Sequence, residues 1–126
     1  MKLLLAIGLG GAMGAIGRHY VISQIAHWFP GGFPLGTLTA NVAGSFVMGL
    51  LVELMALTWS PPPELRALLT VGFLGAFTTF STFSMEVVLL YERGALSLAA
   101  LYVMGSVILS VGGFFLAMAL VRGVLA

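Results

Sequence analysis

The chain has 126 residues, of which 60% are hydrophobic and 7% charged, with a formal net charge of +1 and a mean hydropathy of +1.15. A soluble domain carries about 25% charged residues, so this composition excludes an ordinary water-soluble fold and indicates an all-α integral membrane protein. The near-neutral charge gives no basis for nucleic-acid binding, and the absence of cysteine excludes disulfides, thiolate metal sites and thiol redox chemistry.

A membrane helix needs about 20 mostly apolar residues, and four such spans fit the chain. The first covers about Leu3 to Ala26. Its opening, "MKLLLAIGLGGAMGA", has the lysine, apolar run and small residues of a signal peptide. We read it as a span that also directs insertion. Gly8, Gly10, Gly11, Ala12, Gly14, Ala15 and Gly17 crowd it with small residues, a spacing that lets helix backbones touch in lipid. "GLGGAMG" is also close to a dinucleotide fingerprint, but Met13 takes the last glycine position and no strand precedes it. His19 and His27 have no carboxylate near them in sequence and read as packing or interfacial residues.

"HWFPGGFP" ends the first span, with Trp28 at an interface and prolines and glycines that break helices. The second covers about Leu35 to Leu57 and stops at "TWSPPPE". The third covers about Glu64 to Leu90 and closes at "YERG"; the fourth covers about Leu96 to Val121. Loops this short leave no room for a soluble catalytic domain, and four short spans enclose little, so a homo-oligomer is expected. Lys2, Arg66 and Arg122 fall on one side, against Arg93 and the nearer Arg18 on the other. The bias is shallow, compatible with a weak orientation preference or with insertion both ways as an antiparallel pair.

Polar residues recur at helical spacing within the spans. Thr37, Asn41 and Ser45 share a face of the second, and Tyr102, Ser106 and Ser110 share one of the fourth. In the third, Phe73, Phe77 and Phe80 form a stripe, with Phe83 three residues further and Thr78, Ser81, Thr82 and Ser84 beside them. A lone serine or threonine commonly bonds a carbonyl of its own helix. The Asn41 amide has too many donors and acceptors for that, and is either interhelical glue or part of a polar pathway. Carboxylates inside spans are functional candidates by default. Glu53, near its span end, reads as snorkelling to the interface; Glu86, on the segment with the phenylalanines, is the stronger candidate. Gly72 and Gly75 followed by Thr78 and Thr79 make a poor helix centre, so a mid-membrane break is expected, and such breaks hold ions in transporters.

This inventory suits a small anion. A bare ion in hydrocarbon costs on the order of tens of kcal/mol, and hydrogen bonds to a charged group return roughly 1.5–3 kcal/mol each. Several donors must therefore act together. Phenylalanine adds its electropositive ring edge. No lysine lies within a span, so no ammonium is fixed there to trap the ion.

"GFLGAFTTFSTF" (Gly72–Phe83), preceded by "GTLTANVAGSF" (Gly36–Phe46) and "GAIGR" (Gly14–Arg18), resembles the Fluc-type fluoride channel family over nearly the whole chain. The resemblance implies a four-span protein of the prokaryotic plasma membrane, with a broken third helix, assembled as an antiparallel dual-topology homodimer. It implies passive and selective fluoride export along two pathways built by both subunits. Asn41, Phe80 and Phe83 would line the pore, with Ser81, Thr82, Ser84, Ser106 and Ser110 as the polar track and Tyr102 and Glu86 at or near it. Backbone carbonyls of Gly75 and Thr78 would hold a structural Na⁺ at the dimer centre. The chain departs from the pattern at Ala76, where glycine is frequent, and at His19, which separates Arg18 from Tyr20. The main alternative is a small multidrug-type proton-coupled antiporter. That chemistry needs a carboxylate in the first span, which has none, and would have to fall to Glu86.

Overall fold

In a computed structural model, residues 1–125 form four helical spans in antiparallel succession. They comprise α1 (Lys2–Trp28), α2 (Leu35–Leu57), a composite third span from Pro63 to Glu92, and α6 (Leu96–Leu125). The composite span is α3 (Pro63–Ala67), a π-helix (Leu68–Leu74), the short α4 (Gly75–Phe77) and α5 (Phe80–Glu92).

Local chemistry accounts for the ends. The Phe29 N–H caps α1 at the Ile25 carbonyl, before Pro30. The N–H groups of Thr58 and Trp59 both bond the Leu54 carbonyl at the end of α2, and the proline run follows. Pro63 then opens α3 at a helix position where a missing N–H costs nothing. Gly94, with φ +78°, makes the left-handed turn out of α5.

Two seams organise the bundle. Most of the contact lies between α2 and α6 and between α1 and the π-helix. The second seam explains the glycines of α1. A Cβ on Gly10 or Gly14 would collide with the backbone of Leu68 and Phe73, and one on Gly72 would meet the Ile7 carbonyl oxygen at 2.7 Å. The two backbones therefore lie in direct contact, as small-residue packing in lipid permits.

The break corrects one expectation and refines another. Gly72 and Gly75 do not interrupt the third span: Gly72 lies inside the π-helix, and Gly75 is helical (φ −61°, ψ −36°). Their lack of a side chain serves close packing in the first case. The chain leaves helical geometry at Thr78 (ψ 157°) and Thr79 (φ −151°, ψ 125°). The break also divides the expected aromatic stripe. Phe73 and Phe77 stack on one side of it, 5.8 Å apart and 8° from parallel, while Phe80 pairs with Phe83 on the other.

Glu53 is likewise corrected. It does not snorkel: it is 6% exposed and makes a two-pronged pair with Arg122, through Nε at 3.1 Å and Nη2 at 3.2 Å. The pair ties the end of α2 to the end of α6.

Candidate functional site

The break is held by side chains from two helices and by its own threonines. Asn41 on α2 donates from Nδ2 to the Thr79 carbonyl at 3.0 Å and accepts the Thr79 N–H at Oδ1, 2.7 Å. One amide thus pairs both backbone groups of one residue, as a neighbouring β-strand would. Thr79 is also the N-cap of α5, its Oγ1 accepting the Thr82 N–H at 3.2 Å. Such a cap contributes about 1 kcal/mol in water. The Thr78 hydroxyl donates to the Leu74 carbonyl at 2.9 Å, terminating α4.

These diversions release two of the four carbonyls, Gly75 to Thr78, that the break leaves without a helical N–H. The Thr79 N–H would bond the Gly75 carbonyl in an unbroken helix, and the Thr82 N–H would bond that of Thr78. Both amides are instead taken by side-chain oxygens. Arg18 on α1 reaches the Thr78 carbonyl with Nη1 at 3.4 Å. Freed mid-span carbonyl oxygens are the donors a hard cation such as Na⁺ accepts, so the residues present fit that ion in kind. Two per chain fall short of a coordination shell, and a second copy would double them.

Beside the break lies a cleft of about 300 Å³, walled by α2, α5 and α6. Asn41, Thr78, Phe80, Phe83, Ser106 and Ser110 all border it. Phe83 is 8% exposed and Phe80 78%, so this pair, with ring centroids 5.4 Å apart, runs from the core to the outer surface of the chain. Ser106 is buried and its Oγ has no hydrogen-bond partner. A buried hydroxyl without a partner among the described residues costs about 1–3 kcal/mol, so this wall of the cleft holds an unused donor just beneath its surface.

A second polar cluster lies toward the Arg93 end. The Glu86 carboxylate accepts from the Tyr102 hydroxyl at 2.9 Å and the Thr37 hydroxyl at 3.1 Å, joining α2, α5 and α6. Thr37 and Tyr102 are 1% and 0% exposed. Tyr102 also packs against Phe83, ring centroids 5.1 Å apart, so the cluster adjoins the aromatic pair. At the loop above it, Arg93 donates to the Gly32 carbonyl at 3.0 Å.

A family model described as "CrcB-like protein, Camphor Resistance (CrcB)" matches residues 5–119. The chain belongs to this family. It is 52% identical over 126 residues to a protein of Rhodospirillum centenum named "Fluoride-specific ion channel FluC", all of both chains being covered. Two further proteins carry the same name. That of Chelativorans sp. is 48% identical over 97% of this chain and 98% of its own. That of Rhodopseudomonas palustris is 44% identical over 95% and 97%.

Within this CrcB-like chain, the expected residues divide into four groups. Asn41, Phe80, Phe83, Ser106 and Ser110 meet at the cleft, and Glu86 and Tyr102 meet each other beside it. Of the remaining hydroxyls, that of Ser84 donates to its own helix at the Phe80 carbonyl, 2.9 Å. Ser81 is exposed, its Oγ 3.4 Å from that of Thr79. Thr82 contributes its N–H to the Thr79 cap. Gly75 and Thr78 bring the carbonyls already described. Two contributors went unassigned from sequence: Thr37, a partner of Glu86, and Thr79, the cap and clamp of the break. A mid-span carboxylate needs buried donors, and a threonine just before a helical run is a cap signal; both cues were available.

Proposed function

We propose that this chain is a fluoride channel of the plasma membrane, passing the ion passively and selectively outward, and that it works as an antiparallel dual-topology homodimer. The observation that carries the reading is the cleft that brings Asn41, Ser106, Ser110 and the Phe80–Phe83 pair together. A fluoride ion entering there would exchange water for hydroxyl and amide donors. Ring edges of the aromatic pair would add electropositive hydrogens where neutral donors run out. Neutral donors hold an anion without trapping it, which conduction requires. Three relatives that match nearly the full chain carry the name of a fluoride-specific channel. None carries an antiporter's name, and the proton-coupled alternative is not favoured.

The dimer is supported by the cleft's open side and the 78% exposure of Phe80, a ring that a second copy would cover. In the pair, carbonyls of Gly75 and Thr78 from both copies would hold Na⁺, which would supply fixed positive charge and bind the two breaks together. Asn41 keeps one N–H beyond its bond to Thr79 and would offer it to the anion. Ser81, Thr82 and Ser84, on the outer turns of α5, would act only where the second copy lies against them.

Reconstitution into liposomes tests this directly, with fluoride efflux followed by an electrode. The expected result is fast efflux of fluoride and almost none of chloride, without a proton gradient. Phe80→Ile should stop fluoride flux while the dimer still forms; normal flux in that variant would reject the ring-edge role. Drug uptake driven by a proton gradient and abolished by Glu86→Gln would reject the channel.

A further inference from the structure

Arg18 is a charged side chain well inside α1, more than halfway from Lys2 to Trp28. No carboxylate lies within 4.0 Å of it among the described residues. Charges at such depth are costly unless compensated. Its partner is the Thr78 carbonyl, 3.4 Å from Nη1, one of the carbonyls released from helical bonding at the break. A guanidinium is always charged and carries several donors, so it neutralises the negative end of the interrupted segment. This is also the oxygen that the proposed function assigns to Na⁺.

We infer that Arg18 is the chain's own substitute for the cation at the break, so that the guanidinium and Na⁺ compete for the Thr78 carbonyl. The inference rests on the Na⁺ site proposed above. Two positive charges held at one carbonyl oxygen, in surroundings of low dielectric, repel each other. Binding the ion therefore displaces the side chain. In a single chain before pairing, Arg18 holds the break in shape. In the pair, the ion takes over and Arg18 is released. Arg18 is thus a positioning residue whose effect depends on the sodium concentration, and it makes the fold less dependent on sodium than two exposed carbonyls would be.

The geometry of the long side chain agrees with this role. Arg18 is half-buried, and its long side chain is not enclosed by the chain's own packing. Its 3.4 Å contact lies at the long limit of hydrogen bonding, as expected of a bond that can be exchanged. The Asn41–Thr79 bonds, at 2.7 and 3.0 Å, keep the backbone of the break in place during the exchange.

The test uses the full-length protein in detergent or lipid, wild type beside Arg18→Gln and Arg18→Lys. Sodium chloride is replaced stepwise by the N-methylglucamine salt at constant ionic strength. Thermal unfolding, dimer fraction and direct ²³Na binding are read in each. The expected result is that Arg18→Gln binds sodium on the order of tenfold more tightly, within the usual range of site coupling, and loses more stability than wild type when sodium is withdrawn. Arg18→Lys, which keeps the charge, should stay close to wild type. Assembly of Arg18→Gln in sodium alone would support the inference in its strongest form. Equal sodium affinity in wild type and Arg18→Gln overturns the competition and leaves the Na⁺ site standing. Failure of Arg18→Gln to assemble with or without sodium also overturns it. No sodium binding by any of the three overturns the site and the inference together.

Discussion

Glu53 and Glu86 are both carboxylates carried inside membrane-spanning helices, and the structure compensates them by opposite means. Glu53 is met by a cation, the two-pronged Arg122 at the end of α6. Glu86 is met by two neutral hydroxyls, Thr37 and Tyr102, with no cation beside it among the described residues. An ion pair closes a site, because both charges are spent on each other. A carboxylate held by hydroxyls leaves those hydroxyls oriented by a group they can leave, next to the aromatic pair at the cleft. The difference between a fastening and a polar pathway lies in the partners and not in depth along the span.

Removing each carboxylate's partners should separate the two roles. Glu86→Leu leaves two fully buried hydroxyls without an acceptor; at about 1–3 kcal/mol for each unsatisfied group, stability should fall by roughly 2–6 kcal/mol in thermal or denaturant unfolding, and fluoride efflux should fall with it. Stability unchanged within error would mean that the hydroxyls have other partners and that the contrast is false. Arg122→Gln should cost less. The Arg122 side chain is 58% exposed, so solvent screening reduces the loss from the several kcal/mol of a buried pair to about 1–2 kcal/mol. Fluoride efflux per folded protein should be unaffected, and a large change in efflux would make Glu53 part of the pathway after all. Tyr102→Phe should cost least, about 1 kcal/mol, because the ring still packs on Phe33 and Phe83 and Thr37 still donates to Glu86. Its efflux should nonetheless slow, by about tenfold for each ~1.4 kcal/mol added to the barrier. Slow efflux with near-normal stability would be the clearest mark of a pathway residue.

The spans were legible in the sequence because hydropathy and prolines act locally. Pro34 and the run from Pro61 to Pro63 fix α2 at Leu35–Leu57 whatever its neighbours do. The break was legible for a similar reason, since Thr78 and Thr79 carry their own backbone preferences and caps. The π-helix was not. Gly72 weakens a helix in "LLTVGFL" but does not specify a wide turn, and the wider turn occurs where α1 presses its glycines against the backbone. Partners distant in sequence escaped for the same reason. Arg122 lies 69 residues from Glu53, and Thr37 lies 49 from Glu86; periodicity places residues on a face but does not say which faces meet. Asn41 shows how far such reasoning reaches. Its demand for several partners followed from its chemistry, whereas the identity of those partners required the fold.

The π-helix has a consequence for how this chain can vary. An α-helix turns about 100° per residue, and a wide turn is in effect an α-helix carrying surplus length. Deleting one residue between Leu68 and Leu74 would let the segment relax into ordinary α geometry with Phe80 and Phe83 nearly in their present phase, because the wide turn rotates less per residue. Straightening it at unchanged length would instead turn everything beyond it by about 100°. The wide turn is thus a reserve of length that sets which way the second half of the span faces.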